Sequence, residues 1–217
     1  MDVREIIARR ISQEFKSGMV VNLGIGLPTA SANYIPVGVD VILQTENGGL
    51  MFGPKPSRKD ADPDLANAGA EPITLLSGAS AFDLSFSFCI IRGGHVDVTV
   101  LGALEVDQHG SVANWKIPGK FSPGMGGGMD LLNGAKKVVI ALQHADKHGK
   151  SKIKKECTLP LSAQHVVSRI ITDKAVMDVT EDGLVLKELS PGISVDEVIN
   201  MTEADLIIPD KIAEMEI

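Results

Sequence analysis

Apolar residues recur along this chain in two alternating patterns, and each pattern predicts a different kind of element. Residues 39–43, 96–101 and 137–142 are short runs rich in Val, Ile and Leu, which is typical of strands buried on both faces of a sheet. Residues 3–15 instead carry apolar side chains at helical spacing, with charged side chains between them. Strands that alternate with helices predict an α/β fold, with an open, mostly parallel sheet and helices on both faces.

Glycine, serine and apolar spacing predict where several further elements begin and end. Gly18 is predicted to close the first helix as a left-handed cap, and residues 79–91 are predicted to form a helix. Residues 162–171 are predicted to form another helix, capped by its first serine. A hairpin is predicted over residues 175–187, and Ser194 opens a capping box for the last helix.

Residues 51–70 show little periodicity and carry prolines together with charges of both signs. A long irregular segment inside a compact domain is typical of the lid or wall of a functional site. The same composition also fits a disordered surface loop, and the residues by themselves leave both interpretations open.

Composition restricts the classes of function. The chain has 217 residues, of which 44% are hydrophobic and 23% are charged, as in ordinary globular domains. Its net charge of -7 argues against nucleic acid and anionic membranes as partners. No apolar run approaches the roughly 20 residues of a membrane span. No linker or repeat divides the chain, so we predict one domain over residues 1–217.

The cysteines and histidines predict neither a disulfide framework nor a metal site. Cys89 and Cys157 are the only two cysteines, which fits a reduced, cytoplasmic compartment. Cys89 lies in an apolar run and is predicted to be a small core residue. His144 and His148 are four residues apart, but a third ligand at useful spacing is missing and Gly149 disfavours a helix there. We therefore expect solvated loop histidines and no bound metal.

Glu46 is the main candidate for chemistry. It stands shortly after the apolar run 39–43, which predicts a buried parallel strand, and Asn47 and Gly48 after it predict a turn. Glu46 is thus expected at the carboxyl end of a strand, where open α/β sheets bind ligands. A carboxylate there is a candidate nucleophile or base; the alternative is a solvated Glu beside a turn.

Two glycine-rich segments are candidates for close approach of a substrate to the backbone. Residues 24–29 follow a predicted strand, but Thr29 stands where a dinucleotide-binding fingerprint needs its third glycine, so a tight strand-to-helix turn fits better. Gly126, Gly127 and Gly128 offer backbone N–H groups with no side chain in the way. This second segment is either an oxyanion-binding loop or a flexible connector.

Six segments in order carry a resemblance to a known family. They are residues 22–28, 44–48, 91–97, 113–115, 117–120 and 124–127. Together they resemble the class I 3-oxoacid coenzyme A transferases of the acetoacetate/butyrate type. The likeness is to the β subunit or, in fused enzymes, to the carboxy-terminal half. It runs over nearly the whole chain and implies the open-sheet fold of that family.

The resemblance also implies a reaction. Glu46 would be the nucleophile that carries coenzyme A as a glutamyl thioester between a short-chain acyl-CoA or 3-oxoacyl-CoA and a carboxylic acid. The backbone N–H groups of Gly127 and Gly128 would face the thioester, although the family usually has Ala where this chain has Gly128.

The resemblance further implies a cleft and a partner. Gly24, Gly26 and Asn47 are expected to line the same cleft as Glu46. Coenzyme A is a substrate, so no cofactor is implied. The chain is expected to pair with a separate α subunit of similar fold, in an α2β2 assembly.

Other functions compete with this interpretation. An acyl-CoA thioesterase results if water enters the site. A sugar-phosphate isomerase or ligand-sensing domain on a similar sheet would use Glu46 as a base or binding residue, and fold alone does not separate these classes. The co-occurrence of residues 46–48 with residues 124–128 favours the transferase. Acetoacetate, butyrate, acetate and succinate are all left open as acyl groups.

Overall fold

The protein is built on one large sheet with helices packed against it. The structure is a computed structural model that describes residues 1–120, 122 and 124–217. The helices are α1 (Val3–Ser12), α2 (Leu27–Ala30), a 3₁₀ turn (Ser31–Tyr34), α3 (Leu84–Arg92), α4 (Gly128–Gly134) and α5 (Val195–Met201). The strands are β1 (Val20–Leu23), β2 (Ile42–Thr45), β3 (Gly49–Gly53), β4 (Thr74–Ala81), β5 (Val98–Leu101), β6 (Glu105–Asp107), β7 (Val112–Ala113), β8 (Lys137–Ala141), β9 (Ile153–Lys154), β10 (Arg169–Ile171), β11 (Ala175–Thr180), β12 (Gly183–Leu189), β13 (Leu206–Ile207) and β14 (Ala213–Glu214). In the described part of the chain, no helix is long and apolar enough to cross a membrane.

The main sheet is open and mostly parallel, as the pattern predicts. Among the described residues it has eleven strands in the order β13, β12, β11, β10, β8, β5, β1, β2, β3, β4, with β14 paired to β12. The central strands β10, β8, β5, β1 and β2 are parallel. Antiparallel pairs flank them, β2–β3–β4 on one side and β10–β11–β12 on the other. The predicted hairpin at residues 175–187 is therefore confirmed, and a small second sheet is formed by β7, β6 and β9.

Alternate side chains of the central strands fill two cores, one on each face of the sheet. In β8, Val138 and Ile140 join the core that contains Leu132 of α4. Val139, between them, joins the core that contains Ile11 of α1. Because successive side chains of a strand point to opposite faces, a strand that is apolar throughout needs cover on both sides. Helices on both faces of the sheet provide that cover.

A buried ionic cluster fixes the end of α1 to the sheet. Glu14 accepts hydrogen bonds from Arg10 Nη1 (2.7 Å), Arg169 Nη1 (2.7 Å) and Lys137 Nζ (2.6 Å). Arg10 in turn pairs with both carboxylate oxygens of Glu188. Burial by itself would raise the pKa of Glu14, but the bonds from Lys137 and Arg169 outweigh it and lower that pKa to about 2. The cluster thus connects α1 with β8, β10 and β12.

Tertiary pairing overrides the predicted helix at residues 162–171. Arg169–Ile171 is strand β10, which pairs with β8 on one side and β11 on the other. Ser162 caps no helix; its hydroxyl donates to Asn114 Oδ1 at 2.6 Å. The β-branched residues of this segment fit a strand held between two neighbours, so the prediction was wrong.

Two other predicted helix boundaries are also wrong. Residues 79–81 lie in β4, which pairs with β3, so that α3 begins only at Leu84. The first helix ends at Ser12, and Gly18, with a φ of +85°, lies in the turn that leads into β1 instead of capping α1. The predicted capping box is confirmed in part, since the Ser194 hydroxyl accepts from the N–H of Glu197.

One cysteine and one histidine lie in environments opposite to those predicted. Cys89 is exposed on α3, not part of the core. His144 is fully buried, with Nδ1 3.0 Å from Thr172 Oγ1 and Nε2 2.9 Å from Thr202 Oγ1. Burial lowers the pKa of His144 to about 4, so the ring is neutral at physiological pH. Within the described residues, no group of three or more His, Cys, Asp or Glu side chains could hold a metal ion.

Candidate active site

Glu46 lies directly after β2, at the carboxyl end of the parallel strands. The chain then turns sharply into β3, which runs antiparallel to β2. This turn requires glycine at position 48, because its φ is +124° and a Cβ there would overlap the carbonyl oxygen of Phe82. The tight hairpin therefore holds Glu46 on the rim of the sheet.

A cleft of about 450 Å³ opens beside Glu46. Its floor includes Asn22 and Gln44 from β1 and β2. One wall comes from the irregular segment around residues 67–71, and the other from the glycine-rich residues 124–128. The cleft lies at the strand ends where α/β sheets bind ligands.

The backbone of Gly127 lies against the carboxylate of Glu46. A Cβ at Gly127 would stand 2.5 Å from Glu46 Oε2 and 3.0 Å from Phe88 Cζ. The φ of Gly127 is −79°, which any residue adopts, so glycine is required here by space and not by conformation. The N–H of Gly128 donates to the carbonyl oxygen of Met125 at 3.1 Å. Of the two predicted amides, that of Gly127 lowers the pKa of Glu46, whereas that of Gly128 is bonded to Met125.

Three neighbouring effects set the pKa of Glu46. Burial of the side chain is the largest and raises the pKa, the Gly127 amide lowers it, and the carboxylate of Asp130 in α4 raises it again. The net result is a pKa above the ordinary value for Glu. A half-buried carboxylate of raised pKa is a better nucleophile once ionised than a solvated one.

The floor of the cleft is a buried chain of amide hydrogen bonds. Asn22 Nδ2 donates to Gln44 Oε1 at 2.6 Å, and Gln44 Nε2 donates to Ser87 Oγ in α3 at 3.0 Å. No role in the site was predicted for these three side chains. A partial signal was present, because Gln44 stands two positions before Glu46, whereas its register partner Asn22 is identified only by the sheet.

The segment 66–71 is an ordered wall, held by the residue that follows Glu46. Asn47 Nδ2 donates to the carbonyl oxygen of Ala66 at 2.8 Å, and Thr45 Oγ1 accepts from the N–H of Ala68 at 3.0 Å. Thr45 Oγ1 also donates to Asn47 Oδ1 at 2.7 Å. Asn47 thus supports the cleft from behind and does not line it. For this last part of the segment 51–70, these contacts favour the wall over the disordered loop.

The two other glycines predicted to line the cleft differ in position. Gly24 lines it, and a Cβ there would lie 3.2 Å from the carbonyl oxygen of Val100, so a side chain would fit poorly. Gly26 instead lines a neighbouring cavity of about 790 Å³ that shares Phe52 and Glu71 with the cleft.

The charged side chains that line the described part of the cleft are all negative. Its charged residues, among those that the structure describes, are Glu46 and Glu71, and none of its described lining residues is Lys, Arg or His. An anionic substrate that enters this cleft therefore finds hydrogen-bond donors from amides but no cationic side chain from these walls.

Comparison with known proteins shows which family the chain is similar to. Residues 4–201 match the family model described as coenzyme A transferase. The chain is 52% identical to one subunit of the probable succinyl-CoA:3-ketoacid coenzyme A transferase of Bacillus subtilis (strain 168), over 97% of this chain and 98% of that protein. It is 50% identical to the acetate CoA-transferase subunit beta of Haemophilus influenzae, over 100% of this chain and 97% of that protein.

A solved structure is also similar. The acyl-CoA transferase (YdiF) apoenzyme from Escherichia coli O157:H7 superposes with a TM-score of 0.77 at 24% identity, over 99% of this chain but 43% of that longer one. At this identity the likeness shows the fold. The family match and the full-length relatives carry the conclusion further: this chain belongs to the coenzyme A transferase family.

Proposed function

We propose that this chain is the β subunit of a two-chain enzyme that moves coenzyme A from a short-chain acyl-CoA or 3-oxoacyl-CoA to a carboxylic acid. The reaction is ping-pong, through a glutamyl thioester on Glu46. The observation that carries the proposal is one half-buried carboxylate placed against the Gly127 backbone at the rim of a parallel sheet. The family match supports the reaction class, and the names of the relatives support the subunit.

The covalent steps balance with no net gain or loss of protons or electrons. A carboxylate oxygen of Glu46 attacks the thioester carbon, the C–S bond breaks, and coenzyme A leaves as a thiolate. The thiolate then attacks Cδ of the resulting anhydride, the bond from Cδ to the bridging oxygen breaks, and the donor acid leaves as a carboxylate. An acceptor carboxylate reverses both steps. A carboxylate suits this cycle because, after acylation, its own carbonyl carbon accepts the thiol.

The Gly127 amide is assigned to the steps at Cδ of Glu46. Negative charge develops on an oxygen of Glu46 when the thiolate attacks, and a fixed N–H at that oxygen stabilises the charge without moving. Removal of one such donor commonly costs about 3 kcal/mol of barrier. The Gly128 N–H, bonded to Met125 here, contributes only if the turn over residues 125–128 changes when substrate binds.

The partner subunit is inferred from charge. Both substrates are anionic, and coenzyme A is polyanionic, whereas the described walls of the cleft carry Glu46 and Glu71 and no cationic side chain. We assign the cations that bind these substrates to the α subunit, which closes the open side of the cleft. The chain is therefore expected to be inactive alone and active with its partner. Light scattering on the purified complex tests the α2β2 stoichiometry.

The experiment that tests the mechanism is a trapping assay. The two-chain complex is incubated with acetoacetyl-CoA and no acceptor acid, and peptide mass mapping locates the bound coenzyme A. We expect the label on residue 46. Glu46→Gln keeps the shape of the side chain but lacks a nucleophilic carboxylate, so label and exchange are both expected to vanish.

A matched control is available in the same cleft. Glu71→Gln removes the other carboxylate and leaves Glu46 untouched, so labelling and exchange are expected to persist. Substantial exchange by Glu46→Gln, or a label on another residue, would contradict the proposal. Release of free coenzyme A without an acceptor, at the rate of exchange, would favour the thioesterase instead.

A further inference from the structure

Helix α3 contacts both the strand that precedes Glu46 and the loop that carries Gly127. We infer that α3 positions these two groups against each other, with Phe88 and Arg92 as positioning residues for the reaction. The inference rests on the proposed role of Glu46 and adds residues that take no part in the covalent steps. Three contacts support it. The first joins α3 to β2, the second joins α3 to the glycine-rich loop, and the third joins α3 to α4.

The first contact attaches α3 to the strand of Glu46. Ser87, in the middle of α3, is fully buried and accepts a hydrogen bond from Gln44 Nε2 at 3.0 Å. Gln44 is itself buried and stands two residues before Glu46 in the chain. A buried amide that lost this partner would leave an unsatisfied donor, so the register of α3 against β2 is strongly held.

The second contact places the ring of Phe88 against the glycine-rich loop. Phe88 Cζ is 3.0 Å from the position that a Cβ on Gly127 would take, and Glu46 Oε2 is 2.5 Å from the same point. The backbone of Gly127 is therefore in contact with the carboxylate and the ring at once. Removing the ring leaves a gap into which the loop can move away from Glu46.

The third contact holds α4 to α3 through Arg92. The guanidinium lies 5.5 Å from the centroid of the Phe88 ring, and Arg92 Nε donates to Asp130 Oδ1 at 2.6 Å. Asp130 is in the first turn of α4, immediately after the glycine loop. Arg92 thus contacts both the ring of Phe88 and the first turn of α4.

Arg92 has an electrostatic role as well as a steric one. The carboxylate of Asp130 acts on Glu46, and Arg92 partly neutralises it. Among the described residues, the other charged side chain that lines the cleft is Glu71 on the opposite wall, and its carboxylate lies 3.8 Å from Lys55 Nζ. Because Asp130 raises the pKa of Glu46, loss of Asp130 is expected to lower that pKa, and loss of the Arg92 charge that pairs with Asp130 is expected to raise it.

The test for Phe88 uses a control on the same helix. Phe88→Ala in the two-chain complex is expected to lower kcat by roughly 10- to 100-fold, because a displacement of about 1 Å at the reacting centre has that effect. The KM for acetoacetyl-CoA is expected to change little, since the ring does not line the cleft. Phe86→Ala removes the same atoms from an exposed position of α3 and is expected to leave kcat unchanged. Phe88→Leu, which keeps an apolar side chain, is expected to lose less and guards against misfolding.

The test for Arg92 uses the acid limb of the pH profile of kcat/KM. Arg92→Gln is expected to move that limb to higher pH, Asp130→Asn to lower pH, and Arg92→Lys to keep it in place. Arg9→Gln is the matched control, because Arg9 also pairs with an acid (Glu5, 2.9 Å) and lies 4.8 Å from the centroid of a ring (Tyr34). A purely structural role for Arg92 would lower stability without moving the limb.

The outcomes separate this inference from the proposed function. If Glu46 carries the coenzyme A label while Phe88→Ala and Phe86→Ala have the same kcat as wild type, the positioning role of α3 is refuted and the mechanism stands. If Arg92→Gln and Asp130→Asn shift the acid limb in the same direction, the electrostatic role is refuted. A kcat loss in Phe88→Ala with normal thermal stability, together with opposite shifts in the two charge variants, supports the inference.

Discussion

Substitution of Gly127 by alanine separates catalysis from folding at one position. The added Cβ would meet Glu46 Oε2 at 2.5 Å, Glu46 Cδ at 2.9 Å and Phe88 Cζ at 3.0 Å. To restore ordinary contact, the carboxylate has to retreat by about 1 Å, since contacts shorter than about 3.5 Å between such atoms are repulsive. The carboxylate then loses its contact with the Gly127 amide and its attacking position.

The expected magnitude follows from that displacement. Loss of one fixed oxyanion donor costs about 10²- to 10³-fold in kcat, or about 3 to 4 kcal/mol. Stability is expected to change much less than kcat. Gly127 has a φ of −79° and directly precedes α4, so alanine fits the backbone and restricts the unfolded chain, and this gain of about 0.4–1 kcal/mol is offset by the displacement of the Glu46 carboxylate.

The neighbouring glycine is a matched control. A Cβ on Gly128 would have Asn114 Nδ2 as its nearest neighbour, at the ordinary distance of 3.7 Å. Gly128→Ala is therefore expected to keep kcat within about threefold and to stabilise α4, since alanine is the better helix former by about 1 kcal/mol. The assay is coenzyme A exchange by the two-chain complex, with thermal unfolding of each variant. Equal kcat for Gly127→Ala and Gly128→Ala would refute the steric argument.

Three further predictions concern stability. Burial raises the pKa of Glu46 above its value of 4.5 in the unfolded chain, so ionisation of Glu46 destabilises the fold as the pH rises above 4.5. Glu46→Gln removes this cost and is expected to raise the melting temperature at pH 7.5 but not at pH 4. Burial lowers the pKa of His144 from 6.5 to about 4. The neutral ring therefore stabilises the fold fully above pH 6.5, and about 3 kcal/mol of unfolding free energy is lost as the pH falls towards 4. In denaturant titrations at a series of pH values, His144→Gln is expected to weaken the dependence of stability on pH between 6.5 and 4. Gly48→Ala places a Cβ at a φ of +124°, where it would overlap the carbonyl oxygen of Phe82, so it is expected to lower the melting temperature strongly. Gly38 also has a positive φ but lies in open space, so Gly38→Ala is expected to lower the melting temperature less.

The family of the chain was accessible from sequence because its short segments are specific. Six such segments in order, among them the widely separated residues 22–28, 44–48 and 124–127, indicated a coenzyme A transferase, in agreement with the family match over residues 4–201. The structure adds that these three segments meet around one cleft. Their spacing along the chain does not contain that information, because it depends on the strand order of the sheet.

Elements whose burial is decided locally were predictable from the sequence. Runs such as residues 137–142 are apolar on both faces, so they predict central parallel strands, and β8 is one. A similar run, followed by the Asn47–Gly48 turn, predicted the position of Glu46 at the end of a strand. In each case the pattern of side chains within about ten residues contains the cause of the structure.

Only the tertiary structure decided what depends on partners distant in the chain. Residues 169–171 fall within a predicted helix but form a strand, because β8 and β11 supply hydrogen-bonding neighbours on both sides. Cys89 lies in an apolar run yet is exposed, since only one side of α3 faces the core. Gly127 is required because Glu46 and Phe88 occupy the space of its side chain, and neither residue is near it in sequence. The sequence by itself thus determined the fold class and the candidate carboxylate, whereas the contacts around that carboxylate arise only when the distant segments pack together.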